Sequence, residues 1–246
     1  MEIRTLAHTS ISDITNTFNE AFSDYIIPLQ FTEDGMRTKL KGEGVVPAFS
    51  IGAFDGDKLV GLILHGVDEI NGIKTVYNAG TGVIPSYRGR GLTTAMYRFA
   101  IPLLRNAGIY HHVLEVIESN GTAKKIYDAV GFQTVRTLAA FRSTAPIAEA
   151  PDVSFRELDS LPSEAAFASM EPAWQNSTAS INRDTESHQL IGAFYHNQLV
   201  GYAAYSPSAG RVKQCAVLPS FRRQKIATAL FCHMLQNSRT GNLVLT

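Results

Sequence analysis

The stretch Thr81-Gly82-Val83-Ile84-Pro85-Ser86-Tyr87-Arg88-Gly89-Arg90-Gly91-Leu92 is the part of the sequence most suited to chemistry. An apolar run ends there, glycines punctuate a turn, and a helical stripe begins at once. A strand that enters a helix through such a turn suits phosphate, because the first N–H groups of a helix are unpaired and carry its positive dipole end. Glycines let a pyrophosphate approach the main chain, and Arg88 and Arg90 add charge-assisted donors for the same anion. Two phosphate loops do not fit. The Gly-Lys-Ser/Thr of a Walker loop is absent, and Gly89-x-Gly91-x-x-Thr94 lacks the third glycine and the downstream acid of a dinucleotide turn.

The elements that must position this loop follow from periodicity. Glu2 to Leu6 reads as a strand, and Ser10 or Ser12 caps a helix running to about Phe22, with Ile14, Phe18 and Ala21 at helical spacing. Phe22 to Gln30 is a loop of bulky residues. Asp55-Gly56 and Asn71-Gly72 are hairpin turns that divide Phe49–Phe54, Lys58–His65 and Ile73–Tyr77 into a three-strand meander. Leu92, Ala95, Met96, Phe99 and Leu103 stripe a helix that ends near Gly108, with Pro102 kinking its last turn. His112 to Ile117 is a further strand. Ala123, Ile126, Tyr127 and Val130 stripe a short helix closed by Gly131, and further strands are expected after it.

Repetition organises the whole chain. Ile51 to Gly61 and Ile191 to Gly201 are identical at seven of eleven positions, and Val83 to Ala95 aligns with Val217 to Ala229. The offset falls from 140 to 134, as a shorter hairpin loop would produce. Ser143 to Pro151, with two prolines and small residues, reads as a linker between two copies of one domain, 1–145 and 152–246. The second copy is expected to be degenerate. Lys225 stands where Gly91 stands in the first, and a long side chain there is expected to obstruct phosphate; no counterpart of Asn120 or Tyr127 follows.

The loop resembles the coenzyme A loop of the GNAT superfamily of N-acetyltransferases, Arg/Gln-x-x-Gly-x-Gly/Ala, as Arg88-x-x-Gly91-x-Thr93. Thr93 departs from the small residue of that pattern. The family's second signature is present as Asn120, Ala123, Tyr127, Gly131 and Phe132. The resemblance covers nearly all of Met1 to about Arg142. It implies a mixed α/β (α+β) fold, a twisted and mostly antiparallel sheet flanked by helices, followed by a second, truncated copy.

It further implies that acetyl-CoA is the cosubstrate, held by Gly82, Val83, Arg88, Gly89, Arg90, Gly91, Leu92, Thr93 and Asn120. Tyr127 is similar to the family's general acid, which protonates the departing thiolate, the other reading being a packed ring on the apolar stripe. Glu115, twelve residues earlier, corresponds to a proposed base, although a strand glutamate is as often only solvated or paired. Family likeness also places Asp24 and Tyr25 over the acceptor, with helix-end capping the alternative, while Asn78 to Val83 lines the acyl group. Gly80 and Gly82 either permit a strand bulge there or allow close packing.

The expected reaction is acetyl transfer to a primary amine, of a small molecule or a peptide, by direct attack and without metal. A non-catalytic acyl-CoA sensor or interaction protein built from decayed domains is the alternative. The composition agrees with a globular enzyme. Apolar residues make up 45%, and 22 basic residues balance 22 acidic ones, so there is no broad electrostatic footprint for nucleic acid. The amino terminus has no leader pattern and no stretch approaches a membrane span, so a cytoplasmic protein without membrane partners is expected; homo-oligomers remain possible. Cys215 and Cys232 read as buried thiols, and His111-His112 points to opposite strand faces, unsuited to a metal.

Overall fold

A computed structural model of the chain describes residues 1–27, 29–143, 153–167 and 171–245. It divides into two units, Met1–Val135 and Arg136–Thr246. Most of the expected linker, 144–151, lies outside the described residues.

In the first unit the meander becomes the centre of a sheet. β1 (Glu2–Thr5) pairs antiparallel with β2 (Ile51–Asp55), β2 with β3 (Lys58–Ile70), and β3 with β4 (Ile73–Val83). Asn71 and Gly72 take φ of 51° and 77°, the left-handed pair that a two-residue hairpin turn needs. β5 (His111–Leu114) joins parallel to β4, after a crossover through a helix.

Between β1 and β2 lie α1 (Ile11–Ala21) and α2 (Glu33–Gly42), the second without a counterpart in the sequence reading. Ser10 caps α1 by accepting from the Asp13 N–H at 3.0 Å, and Thr32 caps α2 in the same way. α3 (Leu92–Asn106) connects β4 to β5, and α4 (Gly121–Ala129) follows β5. The buried stripe of α3 is Leu92, Met96, Tyr97, Ala100 and Leu104, turned from the expected one; Phe99 is exposed.

The two faces of β3 and β4 are covered differently. Met96 of α3 lies over Gly61 on one face, where a Cβ at Gly61 would stand 3.5 Å from Met96 Cε. On the other face α1 comes close. A Cβ at Gly80 would meet the Phe18 ring at 2.9 Å, and one at Gly82 would meet Ala21 Cβ at 2.8 Å, so both glycines are required by packing of α1 on β4.

The strands expected after α4 in the first sheet are not there among the described residues. Residues 133–140 are exposed and irregular, and Arg136 donates to the carbonyls of Glu171 and Pro172 at 2.6 and 2.9 Å. β6 (Phe141–Ser143) then enters the second sheet. That sheet has the order β6-β11-β10-β9-β8-β7, where β7 is Ser154–Glu157, β8 Gln189–Tyr195, β9 Gln198–Ser206, β10 Arg211–Val217 and β11 Leu243–Leu245. β7 to β10 are antiparallel neighbours, β11 is parallel to β10, and β6 covers the edge that β11 would otherwise expose.

The second unit therefore repeats the first. The shortening between the copies lies in the strands rather than the turn: β3 and β4 have 13 and 11 residues, whereas β9 and β10 have 9 and 7. Two short helices, α5 (Glu164–Phe167) and α6 (Thr178–Arg183), precede β8, and α7 (Ile226–Asn237) packs its Leu230 and Met234 into a core with Val200 and Tyr205. Among the described residues no helix is long and apolar enough to cross a membrane, and no cluster of three or more metal-ligating side chains occurs. Cys215 and Cys232 are not joined in a disulfide and are half-buried rather than fully buried; burial of its sulfur pushes the Cys215 thiol up to about 12, which leaves it unreactive.

Candidate active site

At the end of β4 the chain makes a single turn at Pro85–Tyr87, passes through Gly89 and Gly91 at φ of 75° and 69°, and enters α3. No atom of a residue beyond the chain neighbours lies within 4 Å of where a Cβ would stand at either glycine, so the space beside both is open. The first intrahelical bond of α3 runs from Ala95 N to Gly91 O at 3.0 Å. The N–H groups of Leu92, Thr93 and Thr94 therefore have no acceptor inside the helix and face outward from its positive end. This is an anion cradle made of main chain.

The arginines serve the cradle differently from the sequence expectation. Arg88 is turned inward. Its guanidinium forks onto Asp24 at 2.6 and 2.8 Å and donates to Ala21 O at 2.9 Å and to Val83 O at 3.1 Å, tying the end of α1 to the loop. These bonds hold the exposed Asp24 carboxyl below its ordinary range and raise the guanidinium further. The Asp24 carboxylate, expected over an acceptor, is thus engaged in bracing the loop. Arg90 lies 4.7 Å from the centre of the Tyr87 ring and donates to Ser86 O at 3.0 Å, while the Tyr87 hydroxyl donates to Asp55 at 2.7 Å.

Beside the cradle, β4 carries a bulge. Leu64 pairs with Gly80 and His65 with Asn78, so Ala79 is the extra residue. β5 pairs with β4 only from Thr75 to Asn78, so from Ala79 to Val83 no strand of the first sheet covers that edge of β4. Because Ile84 N donates to Val60 O, alternation turns the main-chain groups of Val83 and Thr81 to this uncovered edge, where Val83 O meets Arg88. The result is an open strand edge leading from the cradle into the unit.

The bulge also resets which side chains share a face. Asn78 and Thr81 are three apart and would point oppositely on a regular strand, yet Asn78 Nδ2 donates to Thr81 Oγ1 at 2.8 Å. The same amide donates to Tyr97 Oη at 2.8 Å and lies 3.5 Å from Tyr127 Oη. Gly80 N donates to Asn78 Oδ1 at 3.0 Å, which locks the bulge and orients the amide. Tyr127, Tyr97 and Phe132 meet edge to face with centroids 5.8 to 6.3 Å apart. Burial raises the Tyr127 phenol above its usual range, with hydrogen bonds from Thr81 and Asn78 opposing, so Tyr127 keeps its proton at neutral pH.

Behind these phenols His65 is fully buried. Its Nδ1–H donates to Phe49 O at 2.7 Å, since a carbonyl only accepts, and burial drives its pKa down to about 4. His65 is therefore neutral.

Glu115 follows directly after β5 and accepts from the Tyr77 hydroxyl at 3.4 Å. Tyr25 makes an edge contact with Phe22 at 5.1 Å, and Ile26 and Ile27 beside it are exposed. Asn120 is the cap of α4, its Oδ1 accepting from Ala123 N at 3.1 Å. The structure thus brings Asn78 and Tyr127 together, leaves Tyr25 against Phe22, keeps Gly82 to Thr93 along the cradle, and turns Asp24 to Arg88. Tyr97 and His65 escaped the sequence reading, and Thr81 was read only as part of the strand end expected to line the acyl group. Tyr97 was legible in the spacing Met96, Ala100, Leu104, whose flank it occupies, whereas Thr81 reaches the site only through the bulge.

The second loop keeps the shape of the first. Arg223 and Lys225 take φ of 65° and 62° in place of Gly89 and Gly91, and a cavity of about 380 Å³ lies against Phe221, Arg223, Lys225 and Thr228. No equivalent of the Tyr127 cluster accompanies it among the described residues.

The acetyltransferase (GNAT) family model matches residues 11–132, and an acetyltransferase (GNAT) domain model matches residues 156–245. Among solved structures, a GCN5-related N-acetyltransferase from Sphaerobacter thermophilus superposes with a TM-score of 0.70 at 18% identity, over 99% of this chain and 85% of that one. A tandem GNAT protein from the clavulanic acid biosynthesis pathway gives 0.70 at 16% identity, over 99% and 89%. At these identities the likeness concerns the fold. A search of curated protein sequences found no match.

Proposed function

Given that the chain is a tandem member of the GNAT acetyltransferase family, we propose that it transfers an acetyl group from acetyl-CoA to a primary amine at a site within the first unit. The observation that carries the reading is the juxtaposition of a main-chain anion cradle, an uncovered strand edge and a protonated phenol. The pyrophosphate of coenzyme A lies at the N-terminus of α3, against the N–H groups of Leu92, Thr93 and Thr94. The thioester arm follows the open edge of β4 from Val83 toward Thr81, and its carbonyl takes a main-chain N–H there.

The neutral amine attacks the thioester carbonyl carbon directly. As the tetrahedral intermediate collapses, the C–S bond breaks and the sulfur takes the proton of Tyr127, which regains it from solvent. The proton lost by the amine passes to Glu115 or to water. Tyr25 and the exposed Ile26 and Ile27 offer the acceptor an apolar and aromatic approach to the same place. Arg88 and Asp24 act one step removed, by fixing the loop to α1.

The test is release of free thiol from acetyl-CoA in the presence of a panel of small-molecule and peptide amines. Tyr127→Phe is expected to lower kcat by ~100-fold or more at unchanged coenzyme affinity, the usual contribution of a general acid. Equal turnover in Tyr127→Phe contradicts the role given to the phenol. Absence of turnover with every amine, despite coenzyme binding, contradicts the enzymatic reading and favours an acyl-CoA sensor.

A further inference from the structure

Asn78 carries two N–H hydrogens, and three hydroxyl oxygens lie within its reach: Thr81 and Tyr97 at 2.8 Å and Tyr127 at 3.5 Å. Its orientation is not open to a flip, because Gly80 N can only donate and sits 3.0 Å from Oδ1. Two hydrogens serve the two short contacts, so the Tyr127 oxygen receives the smallest share while it is protonated. An amide nitrogen can only donate. The phenol must therefore turn its own proton away from Asn78, while Tyr97 and Phe132 pack against its ring.

We propose that Asn78 and Thr81 are positioning residues for Tyr127: the Asn78 amide presents only donated hydrogens to its oxygen and so turns its proton toward the sulfur, and the Thr81 hydroxyl, which the amide anchors, joins it in holding the phenolate once the proton has left. The proposal rests on Tyr127 being the acid. When the proton moves to sulfur, the phenolate becomes the strongest acceptor in the cluster. Thr81 and Tyr97, whose hydroxyls can donate as well as accept, release the amide hydrogens without being left unsatisfied. The bulge at Ala79 is what makes this possible, since it alone puts Asn78 and Thr81 on one face. Each proton is conserved: one leaves Tyr127 for the thiolate, and one returns from solvent to the phenolate.

The experiment combines Thr81→Val, which removes the hydroxyl at nearly constant shape, with Thr81→Ser, which restores it. Thr81→Val is expected to lower kcat by ~10-fold with coenzyme affinity and melting temperature unchanged, and Thr81→Ser to recover most of the loss. In a Tyr127→Phe background Thr81→Val is expected to have no further effect, because the oxygen it serves is gone. A full additional loss in that background, or an unchanged kcat in Thr81→Val alone, overturns the proposal while leaving Tyr127 as the acid. An unchanged kcat in Tyr127→Phe alone overturns both. Ultraviolet titration of tyrosine ionisation gives a readout without turnover. The component assigned to Tyr127, wild type minus Tyr127→Phe, is expected to move to higher pH in Thr81→Val, and an unmoved component overturns the proposal. If Thr81→Val does not fold, Thr81→Ala removes the same hydroxyl.

Discussion

Burial of His65 behind the phenol cluster makes the first unit acid-sensitive in a measurable way. The ring is 1% exposed and protonates only at about 4 in the folded chain, against 6.5 when unfolded. Loss of hydration is the main cause and the charge of His112 adds to it, while the Phe49 carbonyl opposes both. The unfolded chain thus binds a proton first as pH falls, so the stability this neutral ring contributes is complete above pH 6.5 and is lost toward pH 4. Between pH 7.5 and pH 5 the loss amounts to ~2 kcal/mol. His65→Asn keeps a donor for Phe49 O but removes the titration. Urea unfolding of both proteins by circular dichroism at the two pH values isolates the effect, because every other group cancels in the comparison. Trp174, the only tryptophan, belongs to the second unit, and its fluorescence provides an internal control that should not move. A wild-type excess loss below ~0.5 kcal/mol would refute the reasoning, since it would mean that His65 ionises in place without cost.

Other consequences follow from the same geometry. Gly82→Ala places a Cβ 2.8 Å from Ala21 and 3.0 Å from Phe22, and is expected to destabilise the first unit by ~1–3 kcal/mol in urea unfolding as α1 is displaced. Asp24→Asn releases the Arg88 clamp on an exposed surface. It is expected to leave the melting temperature nearly unchanged but to weaken acetyl-CoA binding by roughly two- to fivefold in calorimetry. Lys225→Gly relieves a left-handed lysine at φ of 62°, and Trp174 fluorescence is expected to report the second unit more stable by ~0.5–1 kcal/mol.

The loop and the helices on either side of it were legible because glycine has few other uses. Gly89 and Gly91 stand at positive φ over open space, so their reason is local and visible in the residues themselves. Gly80 and Gly82 look the same in sequence, yet their reason is Phe18, Ala21 and Phe22, some sixty residues away. Likewise Arg88 reads as a phosphate ligand until Asp24 is seen within 2.6 Å of it. Apart from α2, the element order was readable to α4 and then failed, because Phe141–Ser143 is a strand only by virtue of the edge that Leu243–Leu245 offers. The meeting of Thr81 with Asn78 was invisible for a similar reason. Its face is decided by one extra residue in the pairing of β3 with β4, and pairing is not written in a single strand.

The loss of glycine in the second loop has not changed its backbone, which sharpens the question of where coenzyme binds. Calorimetric titration of acetyl-CoA into the intact chain, beside Gly91→Glu, answers it most directly. One site per chain is expected, abolished in Gly91→Glu, whose carboxylate would stand against the pyrophosphate in space that is otherwise open. Two sites, or one site that survives in Gly91→Glu, would contradict the assignment of the active centre to the first unit.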